Sequence, residues 1–413
     1  MIGIFLIVGS IKCFGQTPFQ LLQNSDTTGA KWNGIAAVNA SAEAGSTFLA
    51  KNCVQPFLSG GNLALNARVN ALNRIQSLGI FGGDTKLQLR YYGGYDSLFS
   101  TRNLGMLIQA GTRYWGSATV GKNAFELLAL GNSQLVGDTV TLNTIQGELL
   151  GYQFIGGGIY DKRNLSFLSL SLVNGLTHKQ LQMAYPSFFY TSENVDTLEL
   201  NYSGNYWQTQ SGRKTSNGIG FVLDGEYNYC SSRAVVGKEL WSSVGVRNLG
   251  WIKWNELSSL TSFDSSLTWT GVNLNELLNG GNILNGESFA DTLVVSKESR
   301  SYWRPTRGSI YLRSVYLFRP KLRLMIQMDF FPAPLNPQIT LGTLWNPIEQ
   351  LQVCAEVSRG GFTHNKFGVG VSYFINDQWQ LGLKTNNIVG YISQNALSMS
   401  GFINLSYLIK PKK

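Results

Sequence analysis

The strongest signal along the chain is alternation of apolar and polar residues with a period of two. At that spacing a β-strand sends successive side chains to opposite faces. Between Asn217 and Tyr229, the residues Ile219, Phe221, Leu223, Tyr227 and Tyr229 alternate with Gly218, Gly220, Asp224, Glu226 and Asn228. From Lys321, the residues Leu322, Leu324, Ile326, Met328 and Phe330 alternate with Arg323, Met325, Gln327 and Asp329. Leu351, Val353, Ala355 and Val357 repeat the pattern against Gln352, Cys354, Glu356 and Ser358, and further copies run to Ile409.

Alternation fits a β-sandwich as well as a membrane barrel, so the connections arbitrate. Counting back from the C-terminus, the gaps fall at 387–398, 375–378, 359–365, 346–349, 331–337 and 319–320, longer and shorter in turn. Short turns at one rim and longer loops at the other are the habit of transmembrane barrels. Strands read near 102–115, 147–160, 164–174, 179–190, 196–207, 217–229, 238–251 and 308–318 join six downstream ones. The expected fold is therefore all-β, a transmembrane antiparallel β-barrel of about 14 strands, within a range of about 12 to 16. Two stretches interrupt the rhythm: 123–130 reads as helical, and 255–302 is a long polar external insertion containing 272–278 and several Gly-Asn turns. Residues 16–101 form an expected N-terminal segment that could act as a plug or hatch, with 63–71 alternating enough for one more hairpin.

Composition narrows the setting. Only 14% of residues are charged, against a usual ~25%, while 22 Phe, 18 Tyr and 10 Trp make the chain rich in aromatics. The formal charge of +9 is scattered rather than gathered into a basic arm, which argues against nucleic-acid binding and suits anionic lipid and lipopolysaccharide. Residues 1–15 read as a signal peptide, an apolar run at 2–11 followed by small residues before Gln16, and they imply the outer membrane of a Gram-negative bacterium. No later run approaches the ~20 apolar residues of a spanning helix, so any span must be made of strands. Cys53, Cys230 and Cys354 cannot all pair and show no metal-ligand spacing.

Catalytic chemistry is not legible. His178 and His364 fall at expected loops or strand ends, without a second ligand type or a nucleophile setting, so no catalytic residue, metal or cofactor is expected. Gly156-Gly157-Gly158 lacks the spacing of a phosphate loop and reads as close backbone approach inside a strand. The polar faces carry Asp224, Glu226, Arg313, Lys321, Arg323, Asp329, Glu356 and Lys384, the candidate lumen-facing residues. An Arg or Lys facing lipid at the midplane costs ~2–4 kcal/mol, which turns these faces inward. Trp115, Trp207, Trp345 and Trp379 are read as interface girdles.

The segment Val246-Arg247-Asn248-Leu249-Gly250-Trp251-Ile252-Lys253-Trp254 resembles a family of uncharacterised Bacteroidota outer-membrane proteins that carry a Leu-Gly-aromatic-Ile-x-Trp element, here Leu249, Gly250, Trp251, Ile252 and Trp254. The later Tyr302-Trp303-Arg304-Pro305-Thr306 is similar as well. That family looks like a distant relative of the long-chain fatty-acid transport channels, which implies a 14-stranded barrel with an N-terminal hatch. Its Asn-Pro-Ala element is replaced by Asn52-Cys53-Val54-Gln55-Pro56, which departs from the hatch pattern. The expected function is a passive channel for a small hydrophobic compound. The alternative is an accessory barrel of a Bacteroidota secretion or gliding complex, with a membrane-protein partner.

Overall fold

The computed structural model describes residues 33–54, 64–93, 103–162, 164–209, 216–231, 240–269 and 296–410. The expected signal peptide and residues 270–295 of the expected insertion lie outside them. In chain order the strands are β1 (Gly34–Ser46), β2 (Leu78–Gly93), β3 (Leu104–Gly121), β4 (Thr139–Thr141), β5 (Gln146–Asp161), β6 (Phe167–Met183) and β7 (Phe188–Thr191). They continue with β8 (Leu198–Gln208), β9 (Gly218–Ser231), β10 (Leu240–Trp254), β11 (Ser259–Trp269), β12 (Ser296–Ser299), β13 (Tyr302–Pro305) and β14 (Ser309–Arg319). The last six are β15 (Leu322–Phe330), β16 (Asn336–Ile348), β17 (Leu351–Gly361), β18 (Thr363–Phe374), β19 (Trp379–Thr385) and β20 (Ser398–Ile409).

The wall is one closed antiparallel barrel of 14 strands. Its order is β1-β2-β3-β5-β6-β9-β10-β14 and then β15 to β20 in sequence, with β20 pairing back onto β1 from Ile409 opposite Gly34 to Ser398 opposite Gly45. Closure leaves no unpaired edge, the condition a sheet must meet to cross lipid. Among the described residues no helix is long and apolar enough to cross a membrane.

The expected count of fourteen holds, but two members differ. β1 and β2, inside the segment set apart as 16–101, are wall strands. The stretches read at 179–190 and 196–207 are not: β6 runs on to Met183, and its upper residues pair with β8 in an external sheet that also holds β4, β7, β11 and β12. The described ends of the 255–302 insertion, β11 and β12, belong to this sheet. The expected hairpin at 63–71 is instead helix α1 (Leu65–Arg74), which buries Ala71 and Leu72. Ala71 packs with Phe48, Ile75, Val120 and Ala124. The expected helix at 123–130 is α2 (Lys122–Leu130). The connection expected at 359–365 shrinks to Phe362, because Gly360 (φ 109°) and Gly361 (φ 72°) take left-handed conformations that reverse the chain abruptly.

Alternation sorts side chains as the lipid argument requires. Leu168, Leu170 and Leu172 of β6 are 52%, 56% and 69% exposed on the outer wall, while Ser169 and Ser171 between them are buried inside. Val357, Phe367, Val369 and Val371 face outward likewise. Both termini and the tight turns at Pro320–Lys321 and 349–350 share one rim, and the larger connections crown the other.

Candidate functional site

The described inward-facing residues include two apolar clusters and a set of charged and amide side chains. Toward the loop-side mouth Ile80, Trp115, Leu150, Tyr152, Phe154 and Trp254 belong to one buried apolar cluster, interleaved with the buried polar residues Ser117, Thr119 and Glu148. At the rim bearing the termini, Ile35, Tyr92, Leu107, Tyr160 and Phe167 form a second. Charged and amide side chains lie between the two clusters and also among the first, where Asp84 stands opposite Trp115 and Arg113 opposite Tyr152.

The polar set is bridged from wall to wall. Gln109 of β3 donates from Nε2 to Asp224 of β9 at 3.1 Å and to Ser171 of β6 at 3.0 Å. That reach is possible because Gly156 stands opposite Gln109 in the ladder: a Cβ there would lie 2.2 Å from the Leu170 carbonyl oxygen. The reading of this glycine run as close backbone approach is thus met. Lys86 of β2 donates to Asn248 Oδ1 of β10 at 3.1 Å. Arg113 of β3 holds Asp84 through Nη2 at 2.8 Å and donates from Nη1 to the carbonyl oxygens of Thr306 and Arg307 at 3.3 and 3.1 Å. Arg307 in turn donates to Glu148 of β5 from Nε at 2.7 Å.

Further round the wall, Arg313 pairs with Glu226 at 2.9 Å, both buried, and the Tyr311 hydroxyl donates to the same carboxylate. Arg247 pairs with Asp329 at 3.3 Å and lies over the Tyr311 ring. Lys384 pairs with Glu356 at 2.8 Å, and Lys366 pairs with Glu43. Buried charges of this kind are tolerable only when paired and hydrogen-bonded, and here the wall supplies the partners.

Of the residues expected to face the lumen, Asp224, Glu226, Arg313, Asp329 and Glu356 are buried inside, and Lys384 joins Glu356 there. Lys321 does not. It sits exposed in the β14–β15 turn, where its ammonium donates to the Pro347 carbonyl at 3.1 Å. Alternation misassigns it because the strand has already ended. Arg323, the second residue of β15, is partly exposed near the same rim. Trp115 faces the mouth cluster, and Trp207 packs on Tyr302 at 4.6 Å in the external region, so neither is a girdle residue. Trp345 and Trp379 are 51% and 40% exposed on the outer wall.

The Leu-Gly-Trp-Ile-x-Trp element owes its pattern to a bulge. The β9–β10 register shifts between Val246 and Leu249, and Asn248 takes φ 51°. Its backbone N–H turns from the ladder to donate to Asp224 Oδ1 at 2.9 Å. Beyond the bulge Leu249 and Trp251 face outward, while Ile252 and Trp254 are wholly buried. Gly250 is required because a Cβ would lie 1.9 Å from the Phe221 carbonyl oxygen.

A similar shift, in the β5–β6 ladder, places His178. It is not a loop histidine but a fully buried strand residue, stacked on Trp254 at 5.5 Å, with Nε2 3.4 Å from Glu148 and Nδ1 2.8 Å from the Tyr302 hydroxyl. Tyr302 stands beyond the wall strands, and burial pushes its phenol pKa up, so it stays a hydroxyl. His364 is exposed, and no cluster among the described residues could hold a metal ion. Cys53 and Cys354 are free thiols.

No known protein family matches the chain, and no curated protein matches it. Solved structures similar to it include the following three channels. The Pseudomonas putida toluene transporter TodX is 8% identical with a TM-score of 0.42, covering 98% of this chain and 97% of that one. A Pseudomonas aeruginosa FadL homologue is 9% identical with a TM-score of 0.40, covering 92% and 90%. The CymD monoaromatic hydrocarbon channel is 8% identical with a TM-score of 0.39, covering 98% and 96%.

Proposed function

We propose that the protein is a passive channel for a small hydrophobic compound in the outer membrane of a Gram-negative bacterium. It would reach that membrane through a cleaved signal peptide and contact lipopolysaccharide with its apolar belt. The observation that carries this reading is the buried aromatic and aliphatic cluster on the inner wall toward the loop-side mouth, which Trp115, Tyr152, Phe154 and Trp254 share. A water-filled pore is lined by polar side chains, whereas aromatic and aliphatic residues at the mouth favour an apolar solute. The second apolar cluster, at the opposite rim, extends the same preference across the barrel. Between them, bridges such as Lys86 to Asn248 and Gln109 to Asp224 are made by side-chain atoms, which can rotate without disturbing the backbone ladder. Uptake of a labelled hydrophobic compound, such as a long-chain fatty acid, into vesicles holding the purified protein tests the reading. Uptake above that of empty vesicles is expected; its absence, together with no uptake defect in a deletion strain, would contradict it.

A second reading, an accessory barrel of a Bacteroidota secretion or gliding complex, draws on the wall-to-wall bridges and on the external sheet. Pull-down from gently solubilised membranes separates the two. A defined stoichiometric membrane partner favours the accessory role, and a barrel isolated alone argues for the channel.

A further inference from the structure

On the outer wall, a groove of about 370 Å³ runs between Tyr227 and Tyr229 of β9 on one side and Ile326 and Met328 of β15 on the other. Its floor is Val244 and Leu312 with the paired hydroxyls of Ser242 and Ser314, which lie 3.1 Å apart. The tyrosines and Val244, Leu312 and Ile326 are all at least 40% exposed, so the groove opens toward lipid rather than into the lumen. Along β14 and β15 the groove leads to a basic turn, Arg319-Pro320-Lys321, at the rim that carries the termini. Arg319 and Lys321 are exposed there; Arg319 lies 5.6 Å over the Phe318 ring, and Lys321 uses one of its three donors on Pro347. The adjoining turn adds one acid, Glu349.

Spacing joins the two features. Ser314 precedes Arg319 by five positions, as Ile326 follows Lys321 by five. That is about 17 Å of strand at ~3.4 Å per residue, less when tilted. Half of the hydrocarbon core of a bilayer is ~15 Å. A molecule with a phosphate at the turn and a single-leaflet acyl chain therefore ends in the groove. We propose that this face is a binding site for a glycerophospholipid of the periplasmic leaflet, its phosphate on Arg319 and Lys321 and one acyl chain in the Tyr227–Met328 groove. The proposal does not depend on the channel reading.

Native mass spectrometry of the full-length barrel in detergent, titrated with dioleoyl phosphatidylglycerol, tests it. One retained lipid per barrel is expected, with retention about tenfold weaker both in Ser242→Leu/Ser314→Leu, which fills the groove, and in Arg319→Gln/Lys321→Gln, which removes the phosphate contacts from an exposed turn. Heat-modifiable gel migration verifies that each variant is folded, and the turn variant serves alone if the groove variant is not. Wild-type retention no greater than background, retention undiminished in the turn variant, or equal retention of uncharged dioleoylglycerol would each overturn the site.

Discussion

At the residue scale the decisive fact is that the charges inside the barrel come in partnered sets. Arg313 and Glu226 show what this costs to disturb, since both side chains are only 3% exposed and each satisfies the other. Breaking a buried pair by removing one partner is destabilising by about 3–5 kcal/mol, whereas replacing both with well-packed residues is often neutral. Arg313→Met should therefore lower the unfolding free energy of the barrel, measured by urea titration in vesicles, by an amount in that range, and Arg313→Met with Glu226→Gln should recover most of it. A single variant as stable as the wild type would mean that the pair is solvated. Much of this network was legible: Asp224, Glu226, Arg313, Asp329, Glu356 and Lys384 follow from parity within clear strands. Gln109 and Arg113 were not, because Thr112 to Trp115 mixes polar and aromatic residues on both faces. Their shared odd parity with Ser117 was the signal available. Lys86 and Arg90 were lost with their strand, and His178 because a bulge shifts the parity that sequence spacing would assign.

At the element scale, lipid and water impose different demands on similar strands. β6 carries Leu170 on the outer wall, and β11 carries Leu267, 47% exposed, on the external sheet. An arginine on the lipid face costs ~2–4 kcal/mol at the midplane and little outside it. Leu170→Arg should thus reduce folding stability in phospholipid vesicles by that amount, while Leu267→Arg leaves it nearly unchanged; equal effects would contradict the division between wall and external sheet. The same comparison explains which strands could be read in advance. β9, β15 and β17 have large apolar residues on one face and polar ones on the other. β1, from Gly34 to Ser46, is mostly Gly, Ala and Ser, too small to mark a face, and it becomes a strand through its pairings with β2 and β20. β8 alternates as well as any wall strand, and period two cannot tell a lipid-facing surface from that of an external sheet.

At the scale of the molecule, closure is what converts alternating strands into a membrane protein. Fourteen strands enclose more space than the eight whose side chains fill a barrel, and fewer than the 16–18 of open aqueous porins. Among the described residues, two apolar clusters lie toward the ends of the barrel and polar side chains bridge the wall between them. All of this rests on the lipid lying against Leu168, Leu170 and Leu172. The direct measurement is collision of nitroxide labels placed singly at these positions, and at Leu267, with oxygen and with a water-soluble nickel complex, in vesicles and on a background without native cysteines. The three β6 labels should collide mainly with oxygen and the Leu267 label mainly with nickel. Nickel access at Leu170 equal to that at Leu267 would contradict the barrel.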